Sequence, residues 1–266
     1  MKAMRKIAVL GASVVLSALF GTSGPVLAPA AAGEGGAEKD VCVYSAHGSS
    51  AERTQHAKAN AGQGGGKTDT CSKTYARWTK STISVFLDTG NGPSSIPPAT
   101  YSDYAAKAFQ EWSCHSGLGE TTLFSTASSF AAADITLNWG DLGTTGILGQ
   151  TGTNYFRGVI SHSAITMNSN NAAFAWTAGP APNVDADGCA VQVANGNTTT
   201  ANYDFLSVLT HEIGHSLGVS HPNRACNTSD QCYPETMFSC TDAEEYMRRA
   251  LNPGDILSVS SLYGSP

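Results

Sequence analysis

Hydrophobic and polar residues alternate along several stretches of the chain, which is the two-residue period of a half-buried β-strand. In the first of these stretches Ile83, Val85 and Leu87 fall on one face. Glycines and prolines punctuate the segments between the stretches and predict loops there. The predicted strands cover residues 82–88, 133–139, 147–151 and 159–168.

Three other stretches carry apolar residues at the spacing of an amphipathic helix. In the first, Thr100 is the expected N-cap, because Asp103 follows it by three residues. The last is expected to begin at Asn252, since the proline after it suits the first helical turn. The predicted helices cover residues 100–112, a stretch from Asn202 or Asp204 to Leu217, and residues 252–263.

The second predicted helix carries two histidines four residues apart, which project from the same face one turn above each other. His211 and His215 can therefore both reach one metal ion at the Zn–N distance of about 2.0–2.1 Å. Glu212 directly follows His211, so its side chain points to a different side of the helix from the two histidines. It is therefore placed to contact a metal-bound water and not the metal. Gly218 readily adopts the left-handed conformation that ends a helix, so His221 can return as a third ligand. Three neutral ligands with one open position describe a catalytic zinc site, because a structural site fills all four.

The spacing of these residues is H-E-x-x-H-x-x-G-x-x-H. The short form H-E-x-x-H alone can arise by chance in an exposed helix that carries two solvated histidines. In the longer form the glycine and the third histidine each have a geometric role. The longer form therefore favours a metal site over a chance occurrence.

The stretch from His211 to His221 resembles the metzincin signature of zinc endopeptidases. Members of that class also carry a Met-turn, whose methionine lies beneath the metal. Met237 lies at a suitable distance along the chain for this role. Without the preceding motif, the simpler interpretation of this methionine would be a side chain that fills space in the apolar core. Pro222 is more like serralysins, which are the alternative, but Ser239 stands where serralysins carry a tyrosine.

The order of predicted elements is similar to the matrixin catalytic domain over residues 76–266, and A-x-x-A-F-x-x-W at residues 105–112 adds to the resemblance. The resemblance implies an α+β fold, with a twisted mixed β-sheet packed on helices, a zinc cleft and the Met-turn. We assign no second zinc ion, because residues 140–170 contain one histidine, His162.

The N-terminal residues are typical of a secretory signal. Lys2, Arg5 and Lys6 precede an apolar run that is too short and too interrupted to span a membrane. The residues that follow are rich in Gly, Ala, Ser and Lys, a composition that buries little apolar surface. We predict a signal peptide over residues 1–32, a flexible N-terminal extension or pro-segment over residues 33–75, and the catalytic domain over residues 76–266.

The chain is acidic, with a formal net charge of −6 that becomes −9 when Lys2, Arg5 and Lys6 leave with the signal. No basic cluster is present that could hold a phosphate backbone or an anionic membrane surface. We therefore expect neither nucleic acid nor membrane as a partner, and we expect a monomer. The signal and the Ala, Gly and Thr content favour a secreted bacterial protein.

Seven cysteines in an exported chain indicate disulfide bonds, and their odd number leaves at least one outside any internal pair. Cys42 with Cys71 is the expected local pair. Cys114 with Cys189, and one pair among the last three cysteines, complete the expected set.

The resemblance implies a secreted endopeptidase with one catalytic zinc ion, in which Glu212 acts as general base on zinc-activated water. A protein or peptide substrate would pair with an exposed strand edge around residues 147–151. Residues 238–246 would line the specificity pocket. Two alternatives stay open: a non-catalytic extracellular binding module stabilised by zinc, and a zinc amidase that acts on cell-wall peptides. Calcium at Asp185 and Asp187 is unsupported, because a solvated loop is the better explanation of these two residues.

Overall fold

The computed structural model describes residues 38–46, 71, 73–118, 124–170, 175–191, 202–222, 231–243 and 245–265. The predicted signal peptide lies outside these residues. Among the described residues, no helix is both long enough and apolar enough to cross a membrane.

Nine strands and three α-helices make up the described fold. In chain order the strands are β1 (Glu38–Ala46), β2 (Ile83–Leu87), β3 (Phe124–Thr126), β4 (Ile135–Gly140), β5 (Ile147–Phe156), β6 (Val159–Asn168), β7 (Ala175–Thr177), β8 (Asn202–Asp204) and β9 (Cys240–Thr241). The helices are α1 (Pro98–Cys114), α2 (Phe205–Ser216) and α3 (Pro253–Tyr263), with short 3-10 helices at Phe130–Ala132 and Met247–Arg249.

The larger sheet is mixed and has the strand order β3-β2-β4-β6-β5-β1-β9, while β7 and β8 form a separate pair. The strands β3, β2, β4 and β6 run parallel, and β5 runs antiparallel to β6. β1 lies between β5, to which it is antiparallel, and β9, to which it is parallel. A mixed sheet packed on helices confirms the predicted α+β fold.

Aromatic side chains fill the space between the sheet and the helices α1 and α2. The ring of Phe205, at the start of α2, lies 5.2 Å from Tyr101 of α1 and 5.3 Å from Trp139 of β4, between ring centroids. Trp112 of α1 is fully buried and donates from Nε1 to the carbonyl oxygen of Thr210 in α2, at 2.8 Å. Such contacts contribute both buried area and favourable ring geometry, so α1 and the sheet together fix the position of α2.

Helix α1 begins earlier than the sequence indicated. Thr100 was expected as the N-cap, but the helix starts at Pro98 and its N-cap residue, Pro97, makes no side-chain capping bond. Proline at the first helical position has its φ angle preset and lacks the amide that a cap would satisfy. The prediction for α3 is confirmed, because Asn252 is the N-cap and forms a capping box with Asp255.

Residues 33–75 were expected to form a flexible extension, and β1 lies within them. This part of the expectation is wrong, because β1 pairs with β5 from Glu38 to Ser45. The segment E-K-D-V-C-V-Y-S-A contains valines and a tyrosine of high strand propensity. The surrounding residues are rich in glycine, so the strand pattern of this short segment is weak in the sequence. Its partner strand, β5, lies far away in the chain.

Two disulfides join distant parts of the described chain. Cys114–Cys189 is confirmed as predicted. Cys71 pairs with Cys232, 161 residues away, so the predicted Cys42–Cys71 pair is wrong. A local pair would close a shorter loop at a lower cost in entropy, but the fold brings Cys71 beside Cys232. Cys240 is also disulfide-bonded, to a cysteine whose side chain lies outside the described residues.

Candidate metal centre

Helix α2 presents the candidate ligands and is buried along its whole length. It begins at an N-cap, Asp204, whose side chain accepts a hydrogen bond from the amide of Ser207 at 2.9 Å. Arg249 donates to the same carboxylate at 2.6 and 2.8 Å and is itself buried. A capped and salt-bridged first turn anchors the helix one to two turns before the first histidine of the motif.

The structure brings His211, His215 and His221 together. Their Nε2 atoms form a triangle with sides of 2.9, 3.0 and 3.0 Å. His211 and His215 are fully buried, and His221 is partly exposed. A single ion at about 2.0–2.1 Å can touch all three nitrogens of such a triangle at once.

Hydrogen bonds at the far side of two rings set their tautomers. The Nδ1 atom of His211 lies 2.6 Å from the carbonyl oxygen of Thr236, and that of His215 lies 2.8 Å from the carbonyl oxygen of Val219. A carbonyl only accepts, so Nδ1 carries the proton in both rings and Nε2 presents a lone pair to the centre. Partners of this kind orient metal-ligating histidines and raise their basicity.

The charge state of the triad also suits a cation. Burial and the neighbouring histidines hold the pKa of His211 and His221 well below the usual histidine value, with a smaller contribution from Arg248. Neutral imidazoles whose lone pairs converge within 3.0 Å repel each other, and a cation between them removes that repulsion. Among the described residues this is the one group of three metal-binding side chains found close together, and a divalent metal such as zinc fits its donor set.

Glu212 is fully buried next to the triad and faces strand β5. The hydroxyl of Thr151 lies 2.5 Å from Oε2 of Glu212 and 3.1 Å from its backbone oxygen. Gly149 leaves the space for the carboxylate, because a Cβ atom there would lie 2.6 Å from Oε1. Two residues of β5 thus define where the carboxylate lies and how it is rotated.

The turn around Met237 closes the floor of the site. Met237 is buried, and its sulfur packs so closely on Gly214 of α2 that any side chain at Gly214 would collide with it and with Trp112. Asp255 of α3 holds the turn from the other side, accepting from the amides of Thr236 at 2.7 Å and Met237 at 3.1 Å. The turn is therefore fixed between two helices.

The chain reverses at Gly218, where φ is +91°. A side chain at this position would overlap the carbonyl oxygen of Ala76, which lies against the turn. The amide of Val219 returns to the carbonyl oxygen of Gly214 at 3.0 Å, and Ser220 donates to Lys73 at 2.9 Å. The left-handed glycine and the isolated bridge between Thr74 and Val219 together bring His221 back to the helix.

Several residues of the site could not be found from the sequence motif. Thr151, Gly149 and Asp255 each contact the motif or the Met-turn across a distance of 18 to 63 residues in the chain. The capping-box spacing at Asp255 was visible in the sequence, but its contact with the Met-turn was not. For Thr151 no sequence signal beyond its place in a predicted strand was available.

Two candidates from the sequence lie apart from the triad. The carboxylate of Asp185 accepts from the amides of Asp187 at 2.9 Å and Cys189 at 3.0 Å, which is the hydrogen bonding of a tight turn. His162 lies in β6, where burial lowers its pKa. Neither residue joins the group around His211.

A mixed sheet, a helix with two converging histidines, a third histidine beyond a glycine turn and a buried methionine turn are the features of the metzincin class. A family model described as Peptidase_M10, Matrixin, matches residues 77–264. The chain therefore belongs to the matrixin family, which confirms the predicted resemblance over the serralysin alternative. The enzyme class that goes with this family is zinc metalloendopeptidase.

The chain is also similar to a protein named matrilysin from Felis catus. The two are 39% identical over 61 residues, which make up 23% of this chain and 20% of that protein. The match thus spans about a fifth of the relative's length.

Proposed function

We propose that this chain is a secreted endopeptidase that hydrolyses peptide bonds of protein substrates at a single zinc ion held by His211, His215 and His221. The observation that carries the proposal is the convergence of three Nε2 atoms within 3.0 Å beside the buried carboxylate of Glu212. Membership of the matrixin family supports the same activity. Two disulfides among the described residues favour an oxidising, extracellular location.

Bound zinc supplies a Lewis acid that polarises the scissile carbonyl and lowers the pKa of water. Glu212 serves as the general base: its carboxylate accepts the proton of the attacking water and returns it to the leaving amine. Thr151, at 2.5 Å from Oε2, restricts rotation of that carboxylate. Because Glu212 is buried beside β5, a peptide on the cleft side of this strand lies within its reach.

The wall that follows the Met-turn supplies the specificity pocket in this proposal. Arg248 is fully buried behind it and donates to the carbonyl oxygens of Phe238 at 3.2 Å and Tyr233 at 3.0 Å. Its guanidinium also lies 3.3 Å from the carboxylate of Glu245, which accepts from the Tyr233 hydroxyl. These contacts hold Phe238 and Glu245 in place, so part of the pocket wall is positioned before a substrate arrives.

The substitution Glu212→Gln tests the proposal, because it keeps the size of the side chain and removes the base. We expect the variant to bind zinc as the parent does and to lose at least about 100-fold in the hydrolysis of casein. Asp103→Asn, an equivalent change on the exposed face of α1, is the matched control and should leave both properties unchanged.

Full activity in the Glu212→Gln variant would remove Glu212 as the base. A parent protein that binds zinc and cleaves no protein would instead indicate a binding module stabilised by zinc. Hydrolysis restricted to cell-wall peptides would identify an amidase. We further propose an extracellular monomer without nucleic acid or membrane partners, in keeping with the acidic charge.

A further inference from the structure

We propose that Tyr75 is a positioning residue for the metal ligand His215, and that the Cys71–Cys232 disulfide keeps Tyr75 in place. Both act through residues 73–78 (the clamp), which lie across the C-terminal end of helix α2. The inference rests on the proposed function, because it concerns the same zinc centre and the ligands that hold it.

Side chains of the clamp donate hydrogen bonds to the end of α2. The last carbonyl oxygens of a helix have no partner within the helix. The hydroxyl of Tyr75 donates to the carbonyl oxygen of His215 at 2.5 Å. The indole Nε1 of Trp78 donates to the carbonyl oxygen of Ser216 at 2.8 Å. Two consecutive carbonyl groups are thus bound by the clamp, and the first belongs to a candidate metal ligand.

The backbone of the clamp fixes the turn that leads from α2 to the third ligand. It makes two hydrogen bonds of 2.9 Å, one donated to the carbonyl oxygen of Gly218 and one accepted from the amide of Ser220. Val219 lies between these bonds, and its own carbonyl oxygen accepts the Nδ1 proton of His215 at 2.8 Å. The clamp therefore acts on His215 at two places: on its backbone through Tyr75, and on its ring through Val219.

Both ends of the clamp are attached to the body of the domain. Before its first residue, Cys71 is bonded to Cys232, a few residues ahead of the Met-turn. Near its other end, Arg77 donates to the carbonyl oxygen of Gly158 at 2.9 Å and accepts from the amide of Ile160 at 2.8 Å. A segment held at both ends has little conformational freedom left to lose, so the clamp bonds to the helix at a low entropic cost.

The position of His215 has little tolerance for movement. Its Nε2 atom lies 3.0 Å from each of the other two ligand nitrogens, so one ion touches all three only while the ring stays in this place. The ends of helices fray when their last carbonyl groups lack partners. Tyr75 supplies such a partner at His215 itself, and this is the step by which the clamp affects metal binding.

The substitution Tyr75→Phe tests the inference in the full-length protein, because it removes the hydroxyl and keeps the ring, which lies 5.4 Å from Tyr155 between centroids. We expect zinc affinity, measured by competition with a chelator, to fall about tenfold. Cobalt(II) bound in place of zinc gives a spectroscopic readout, since its visible absorption depends on ligand geometry, and the band should shift.

Tyr104→Phe is the matched control. It removes a hydroxyl that donates to the carbonyl oxygen of Ala178 at 2.7 Å, near the start of α2, where the Tyr104 ring stacks on Phe205. The same kind of bond is lost at the opposite end of the helix. This variant should lose a similar amount of thermal stability and leave zinc affinity and the cobalt spectrum unchanged.

Removal of the disulfide tests the attachment of the clamp separately. In Cys71→Ser/Cys232→Ser one end of the clamp is released, so zinc affinity should fall and the amide of Ser220 should exchange faster with solvent. Cys114→Ser/Cys189→Ser opens the disulfide between α1 and a distant loop. This control should lower stability without either change.

Equal zinc affinity and an equal cobalt spectrum in Tyr75→Phe and Tyr104→Phe would overturn the role of Tyr75 and leave the proposed function intact. The same loss of zinc affinity in both disulfide variants would indicate a general effect of stability and overturn the role of the Cys71–Cys232 bond. If the parent binds zinc and the clamp variants weaken it, but the parent hydrolyses no protein, the proposed function fails and the clamp stands as part of a zinc site. A parent that binds no zinc would overturn both.

Discussion

Asp255, in the first turn of α3, holds the Met-turn in place, and its removal should weaken both the fold and the metal site. Its carboxylate accepts from the amides of Thr236 at 2.7 Å, Met237 at 3.1 Å and Asn252 at 3.0 Å. The side chain is buried. Thr236 in turn accepts the Nδ1 proton of His211 at 2.6 Å, so one residue connects Asp255 to a candidate ligand.

The substitution Asp255→Ala leaves these three amides without their acceptor. An unsatisfied buried amide costs roughly 1–3 kcal/mol, and water entering the new space would recover part of it. Removal of a desolvated carboxylate offsets another part, since burial raises the pKa of Asp255 and so disfavours its charge. We expect a net loss of about 3 kcal/mol in the free energy of unfolding, a large share of the roughly 5–15 kcal/mol typical of a domain.

Zinc affinity should fall as well. Loss of the groups that hydrogen-bond to metal-binding histidines typically lowers metal affinity by about 10–100-fold. Urea unfolding of the metal-free protein measures the stability, and competition with a chelator measures zinc affinity. Asp255→Asn keeps one acceptor oxygen and should fall between the parent and Asp255→Ala in both. A loss of stability below about 1 kcal/mol, or an unchanged zinc affinity in a clearly destabilised variant, would refute the proposed link from Asp255 to His211.

Two further predictions concern backbone strain and pH. Gly218→Ala should lower the melting temperature far more than Gly158→Ala, because a Cβ at Gly218 overlaps the carbonyl oxygen of Ala76 while one at Gly158 meets no atom within 4 Å; similar losses would contradict this, since both glycines have positive φ. Burial and the charge of Asp255 raise the pKa of Glu235 from 4.5 to about 8. The folded state therefore holds a proton that the unfolded state releases between about pH 4.5 and 8. Stability should fall with rising pH in that window, by at most about 1.4 kcal/mol per pH unit, and Glu235→Gln should flatten the profile in urea unfolding measured from pH 5 to 8.

Elements with a strong local pattern were predicted well. β6 spans Val159–Asn168, as the alternation of its residues indicated, and α3 begins at its predicted cap, Asn252. The strand predicted over residues 147–151 extends to Phe156. Its second half carries polar residues and glycine, so its hydrophobic alternation stops before its hydrogen bonding does.

Elements that depend on distant partners were predicted poorly. β1 pairs with β5 and β9, both of which lie far from it in the sequence. Cys71 was assigned to the nearest cysteine in the chain, whereas the fold brings it to Cys232. In both cases the competing local interpretation was reasonable, because a sequence pattern contains no information about which distant segments become neighbours.

The sequence by itself determined the histidine-glutamate-glycine motif, the helix that carries it and the family to which the chain belongs. These features depend on spacings within a single helix and turn, where the geometry follows from the backbone. Only the tertiary structure decided that Thr151 holds Glu212, that Asp255 holds the Met-turn and that β1 covers the strand edge beside them. These contacts join segments far apart in the chain, and they exist only when the sheet and helices have closed around one core.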